Sequence, residues 1–275
     1  MIGRALIALA LAAPTAAAQD LIAHEAAYRL APLEVREQRF LAAEGRLERS
    51  LIQTCDGWRM RTRFLLQLTA RDGRLIESDI GSLLDETDDG AALRFQTRSW
   101  RLGGLVDDAL GAGDRSELRF ERPAGATVAG DPELVFPIGE LRALLAAADA
   151  GRPRLSYRVF DGSEPTIFEA SAAFGPAMTR DAPGAAPIFA AIEADLESAA
   201  ADDPQAMTRL PDGPVRPIRI AYFDASDPRP DPVSETEARY APGGIMVAAL
   251  FDFGDVVFQA DLSRLRRAAP PEDCG

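Results

Sequence analysis

The sequence predicts a mainly β protein of antiparallel strands, arranged as a barrel, a sandwich or one curved sheet, with a helix buried against it. Two patterns carry this expectation. Short segments alternate apolar and polar residues and are separated by Asp/Gly turns at hairpin spacing, with few helices between them. One Ala-rich segment breaks that rhythm with apolar residues at helical spacing. The chain has 275 residues, 47% hydrophobic and 27% charged, which suffices for a large core and excludes disorder over most of the length.

The elements follow in order. Strands are expected at His24–Ala31 and Gln38–Arg49. Arg59–Leu68 alternates and then runs apolar, as a strand entering a core does. Arg71-Asp72-Gly73 turns into Leu75–Leu84, and Asp88-Asp89-Gly90 turns into Ala91–Trp100. Further strands are expected at Glu117–Arg122, Arg154–Phe160, Thr166–Phe174, Ile218–Phe223, Glu235–Tyr240, Ile245–Asp252 and Val256–Leu262. The helix, Pro137–Ala150, places Leu141, Leu144, Leu145 and Ala148 on one face. Pro137 suits its first turn and Gly151 the position past its end. Its other face holds little beyond Glu140, Arg142 and Asp149, so it is expected inside the curve of the sheet. A second helix is expected at Pro187–Ala201, with Ile188, Ile192, Leu196 and Ala199 on one stripe. Pro/Gly/Asp-rich loops surround it at 175–184, 202–217 and 224–232. One domain, residues 19–275, is expected.

Composition excludes much chemistry. All 30 basic residues are Arg, with no Lys and no Asn. Schiff-base and pyridoxal-phosphate enzymes, the lysine of a phosphate-binding loop and N-glycosylation are therefore ruled out. A single His leaves a catalytic triad or a histidine metal site almost nothing to build on. A net charge of −13 disfavours nucleic acid and anionic membrane surfaces.

Candidate motifs dissolve on inspection. Asp85–Gly90 resembles the opening of a calcium loop, but Thr87 stands at position 3, Gln96 at position 12, and the flanks read as strands; a hairpin turn fits better. Glu77 and Asp79 share a strand face, the pattern of a solvated sheet surface rather than an acid/base pair. Gly111 and Gly113 make half a nucleotide fingerprint with no clear strand before them. His24 reads as a packing or hydrogen-bonding residue, and Trp58, Trp100, Phe64 and Phe95 as core aromatics. No catalytic residues, metal ligands or cofactor are expected, and an enzyme working through Asp/Glu pairs is the least supported reading.

Residues 1–18 read as a secretory signal: Arg4, an apolar run from Ala5 to Ala13, Pro14, then Ala16-Ala17-Ala18 before a cleavage site. The run of about ten residues is too short to span a bilayer, and no transmembrane segment follows. Export places Cys55 and Cys274 in an oxidising compartment, where a pair normally forms a disulfide; two unpaired thiols are the alternative. A bridge would close a loop of roughly 220 residues, worth about 5 kcal/mol in the chain-entropy model, and would bring the tail back to the first strands.

Several short motifs, in order, resemble the cell envelope integrity EipB family of exported alphaproteobacterial proteins, formerly a domain of unknown function. They are His24-Glu-Ala-Ala-Tyr28, Cys55-Asp56-Gly57-Trp58 with Arg61, Phe136-Pro137 and the apolar helix, and Phe160-Asp161-Gly162-Ser163. Ala221-Tyr222-Phe223, Gly244-Ile245, Asp252-Phe253-Gly254-Asp255 and the closing Cys274 follow. The resemblance implies a periplasmic protein: a long antiparallel sheet rolled into a β-spiral or open barrel around a buried helix, its ends linked by Cys55–Cys274. It also implies a non-enzymatic role in envelope integrity through protein partners, and an outline similar to periplasmic lipoprotein carriers. The alternative is a lipid or lipoprotein carrier that shelters an acyl chain in the concave face. A helix plugging that face argues for the first, and a helix able to swing out for the second. Phe136 offers no Ser or Thr cap, so the helix start is expected to fray or shift by a turn.

Overall fold

The computed structural model describes residues 20–36, 40–201, 203–226, 231–253, 256–271 and 274. The expected signal segment, Gly254 and Asp255 lie outside them. The first half of the chain forms eight strands: β1 (His24–Val35), β2 (Phe40–Gln53), β3 (Gly57–Ala70), β4 (Leu75–Thr87), β5 (Ala92–Arg101), β6 (Gly104–Asp114), β7 (Glu117–Arg122) and β8 (Thr127–Ala129). Helix α1 (Pro137–Asp149) follows, then β9 (Arg154–Val159), β10 (Phe168–Phe174) and helix α2 (Ala185–Ala199). Four strands complete the chain: β11 (Arg216–Asp224), β12 (Ser234–Ala241), β13 (Ile245–Asp252) and β14 (Val256–Arg267).

All fourteen strands join one antiparallel sheet, in the order β8-β7-β6-β5-β4-β3-β2-β1-β14-β13-β12-β11-β10-β9. The first and last strands meet in its middle, with Tyr28 opposite Leu47 on one side and Leu262 on the other. Alternation sorts the two faces. Leu47, Leu51, Met60, Leu84, Leu93 and Phe95 point into the core, whereas the intervening Arg59, Arg61, Arg63, Asp79 and Asp85 point outward. Phe95, Phe120 and Phe160 stack edge to face within that core, at centroid separations of 4.8 to 6.0 Å.

The sheet rolls because its two edges are adjacent in sequence and tied by the segment that leads into α1. Gly130 N–H donates to Ser116 O beside β8 at 2.9 Å. Val135 then pairs in parallel with Val159 of β9, donating to Arg158 O and accepting from Phe160 N–H. Neither edge is left as a long open template.

Three expectations are corrected. β6 and β8 are strands that were not foreseen. β6 carries three glycines, and it needs two of them: a Cβ at Gly111 would stand 2.2 Å from Arg119 O, and one at Gly113 would stand 2.1 Å from Glu117 O. Trp100 belongs to the outward face, half-buried, rather than to the core. Within α1, Ala148 is half-exposed, and Ile138 and Ala147 are buried beside Leu141, Leu144 and Leu145. Helix α2 packs against β14, buries Phe189 and Leu196, and pairs Asp195 with Arg29 of the outward face at 3.1 Å.

The Cys55–Cys274 disulfide is formed, with the two Cα atoms 5.4 Å apart across 219 residues of chain. It fastens the tail beyond β14 to the β2–β3 turn. No helix among the described residues is long and apolar enough to cross a membrane.

Candidate functional site: a helix locked inside the sheet and a trough outside it

Helix α1 fills the inside of the roll, and polar side chains from both halves of the sheet hold it there. Glu86 is the last inward-facing residue of β4, two positions beyond Leu84, and only 3% exposed. Its carboxylate accepts the backbone N–H groups of Ile138 and Gly139, each at 2.8 Å. It thereby supplies the cap that Phe136 lacks. Gly139 makes room, since a Cβ there would stand 3.1 Å from the carboxylate. Burial pushes the Glu86 carboxyl up to about 7, against the helix N–H groups and Arg142, which favour its charge. The expected fraying is corrected: the start of α1 is capped from another element.

One turn on, Arg142 donates to Asp88 Oδ1 and to Asp88 O, both at 2.8 Å. Its guanidinium lies 5.8 Å from the centre of the Trp58 ring, whose Nε1–H donates to the same Asp88 oxygen at 3.2 Å. This side of α1 is therefore pinned to β3 and β4.

The other side is pinned to the second half of the sheet by Glu140. Tyr157 of β9 and Tyr222 of β11 both donate their hydroxyls to Glu140 Oε1, at 2.7 and 3.0 Å. Burial raises the Glu140 carboxyl to about 7, opposed by those two hydroxyls; nearby Asp161 raises it further and Arg49 lowers it. Arg49 faces inward from β2, against Tyr28 and Tyr240, and its guanidinium approaches the thioethers of Met60 and Met246. The chain has four tyrosines, and all four belong to this network. Tyr28 donates to Met246 O at 2.9 Å. At the far end of α1, Asp149 pairs with Arg216 of β11.

The motif residues spread around this lock rather than forming one cleft. His24 is buried at the start of β1 with Nδ1 2.7 Å from Ile22 O, and burial lowers its imidazole to about 4. Gly57 permits the closest approach of the β2–β3 turn to β4: a Cβ would stand 2.1 Å from Glu86 O. Asp56 is in that turn, and its carbonyl accepts Asp88 N–H at 3.1 Å. Asp161 and Gly162 cross the core end, where Gly162 at φ +79° lies against Phe95 and Leu84. Asp161 is raised by burial. Tyr222 joins the lock, while the adjacent Phe223 lines a shallow outer depression. Asp252 pairs with Arg36 at 2.6 Å, and Arg61 is exposed on the outward face.

Glu86, Glu140, Arg49, Tyr157 and Tyr240 escaped the sequence reading. For Glu86 and Arg49 a signal existed: each continues an inward alternation, Leu84-x-Glu86 and Leu47-x-Arg49-x-Leu51.

A hollow also lies outside. A trough of about 850 Å³ on the outward face is lined by Leu65, Arg46, Gln67, Glu77, Asp79 and Trp100. It continues through Asp79 and Trp100 into a second hollow of about 640 Å³ that reaches Arg61, Arg63 and Arg98. Glu77 and Asp79 thus sit on a solvated face, Asp79 held well below its usual range by its Arg63 ion pair. Arg61 and Arg94 have no carboxylate at ion-pair distance among the described residues. No metal-binding group of His, Cys, Asp and Glu occurs among them either.

Known proteins now fit this geometry. The chain resembles the crystal structure of a beta-barrel-like protein of domain of unknown function DUF1849 from Brucella abortus, with a TM-score of 0.76 at 20% identity. The match covers 92% of this chain and all of that one. No curated protein sequence matches. The EipB-like family pattern matches residues 15–269, from before β1 to the end of β14, and the chain belongs to that family.

Proposed function

We propose that this is a non-enzymatic, exported protein of the periplasm that supports envelope integrity by holding a protein partner on its outward face. The observation that carries this reading is the lock on α1. A helix capped by Glu86, pinned by Glu140 and packed through Leu141, Leu144 and Leu145 occupies the concave side. The trough between Trp100 and Arg61 offers a long, arginine-rich surface instead. Residues 1–18 supply the export signal in this reading, and the disulfide suits an oxidising compartment.

The test has two arms. Deletion of the gene in its host should sensitise cells to detergents and cell-wall antibiotics, and wild-type protein should restore resistance. Arg61→Glu, which breaks no ion pair among the described residues, should fold with an unchanged Tm yet fail to restore it. Full rescue by that variant sinks the partner-on-the-trough reading. Native mass spectrometry of protein isolated from its own periplasm decides the carrier alternative: a bound lipid would replace this proposal, and a bare disulfide-bonded chain agrees with it.

A further inference from the structure

We draw no further inference here: the strongest candidate, the patch of exposed aliphatic side chains (Leu75, Leu102, Leu105 and Val106) at the β3–β4 and β5–β6 turns, is an unpartnered apolar surface, and nothing in the structure shows what covers it.

Discussion

The Glu86 carboxylate stands 2.8 Å from the backbone nitrogen of Ile138, 52 positions further along the chain, so a strand residue caps a distant helix. Helix caps are normally local, since the capping side chain usually sits one residue before the first turn. Here the cap is a tertiary contact, and it fixes where α1 lies as well as where it starts. The second half of the sheet holds the same turn through Glu140.

The first prediction concerns that cap. Glu86→Ala leaves the Ile138 and Gly139 N–H groups buried without acceptors, which should cost about 2–4 kcal/mol. Glu86→Gln keeps one acceptor oxygen and should cost less. Urea unfolding of the disulfide-bonded protein checks the order. Equal stability of Glu86→Ala and wild type would show that the helix start does not depend on the carboxylate.

The second prediction is a pH dependence whose sign differs from the usual carboxylate. Glu140 has its folded value raised from 4.5 to about 7, so between those pH values the folded state binds more protons than the unfolded chain. Its contribution is full below about 4.5 and is lost as pH rises to 7. Tyr157, Tyr222, Tyr240, Arg49 and Asp161 surround it. Glu140→Gln removes the titration, so the stability of this variant relative to wild type should rise from pH 5 to pH 7.5. A difference that stays flat across this window contradicts the raised value.

His24 acts in the opposite direction, which gives the third prediction. Burial lowers it from 6.5 to about 4, so the unfolded chain takes up its proton first as pH falls. The stability it contributes is present above 6.5 and lost as pH drops towards 4. A His24→Gln variant should therefore lose less stability than wild type between pH 6.5 and pH 4.5, measured as the shift in urea midpoint. In wild type the two effects offset, and only the pair of variants separates them.

What could be read from the sequence follows from the range of the interactions. Strands such as Arg59–Leu68 and Val256–Leu262, and the burial of Leu141, Leu144 and Leu145, rest on alternation and helical spacing, which are local patterns. The Cys55–Cys274 bridge rests on counting. β6 was missed because the property that makes it a strand is the neighbouring backbone at Gly111 and Gly113, and glycine in a strand carries no local sign of it. Trp100 was placed inside because composition suggested a core residue, although the alternation around Ser99 puts it outside. The lock on α1 is written in residues far apart in sequence, Glu86 with Ile138 and Glu140 with Tyr222, and no window of sequence holds both partners.

The fourth prediction joins that long-range order to the covalent link. With Cys55 and Cys274 separated by 219 positions in sequence, the bridge restricts the unfolded chain by about 5 kcal/mol in the loop-entropy model. Replacing both cysteines by serine should therefore lower Tm by many degrees, while the folded state keeps β1 between β2 and β14 and keeps the Glu86 cap. The unfolded chain carries most of the effect, so far-ultraviolet circular dichroism of the folded variant should match wild type. Its urea midpoint should drop without a new intermediate. If the spectrum changes instead, the tail is part of what holds the sheet rolled, and the disulfide acts on the native structure rather than on the unfolded ensemble.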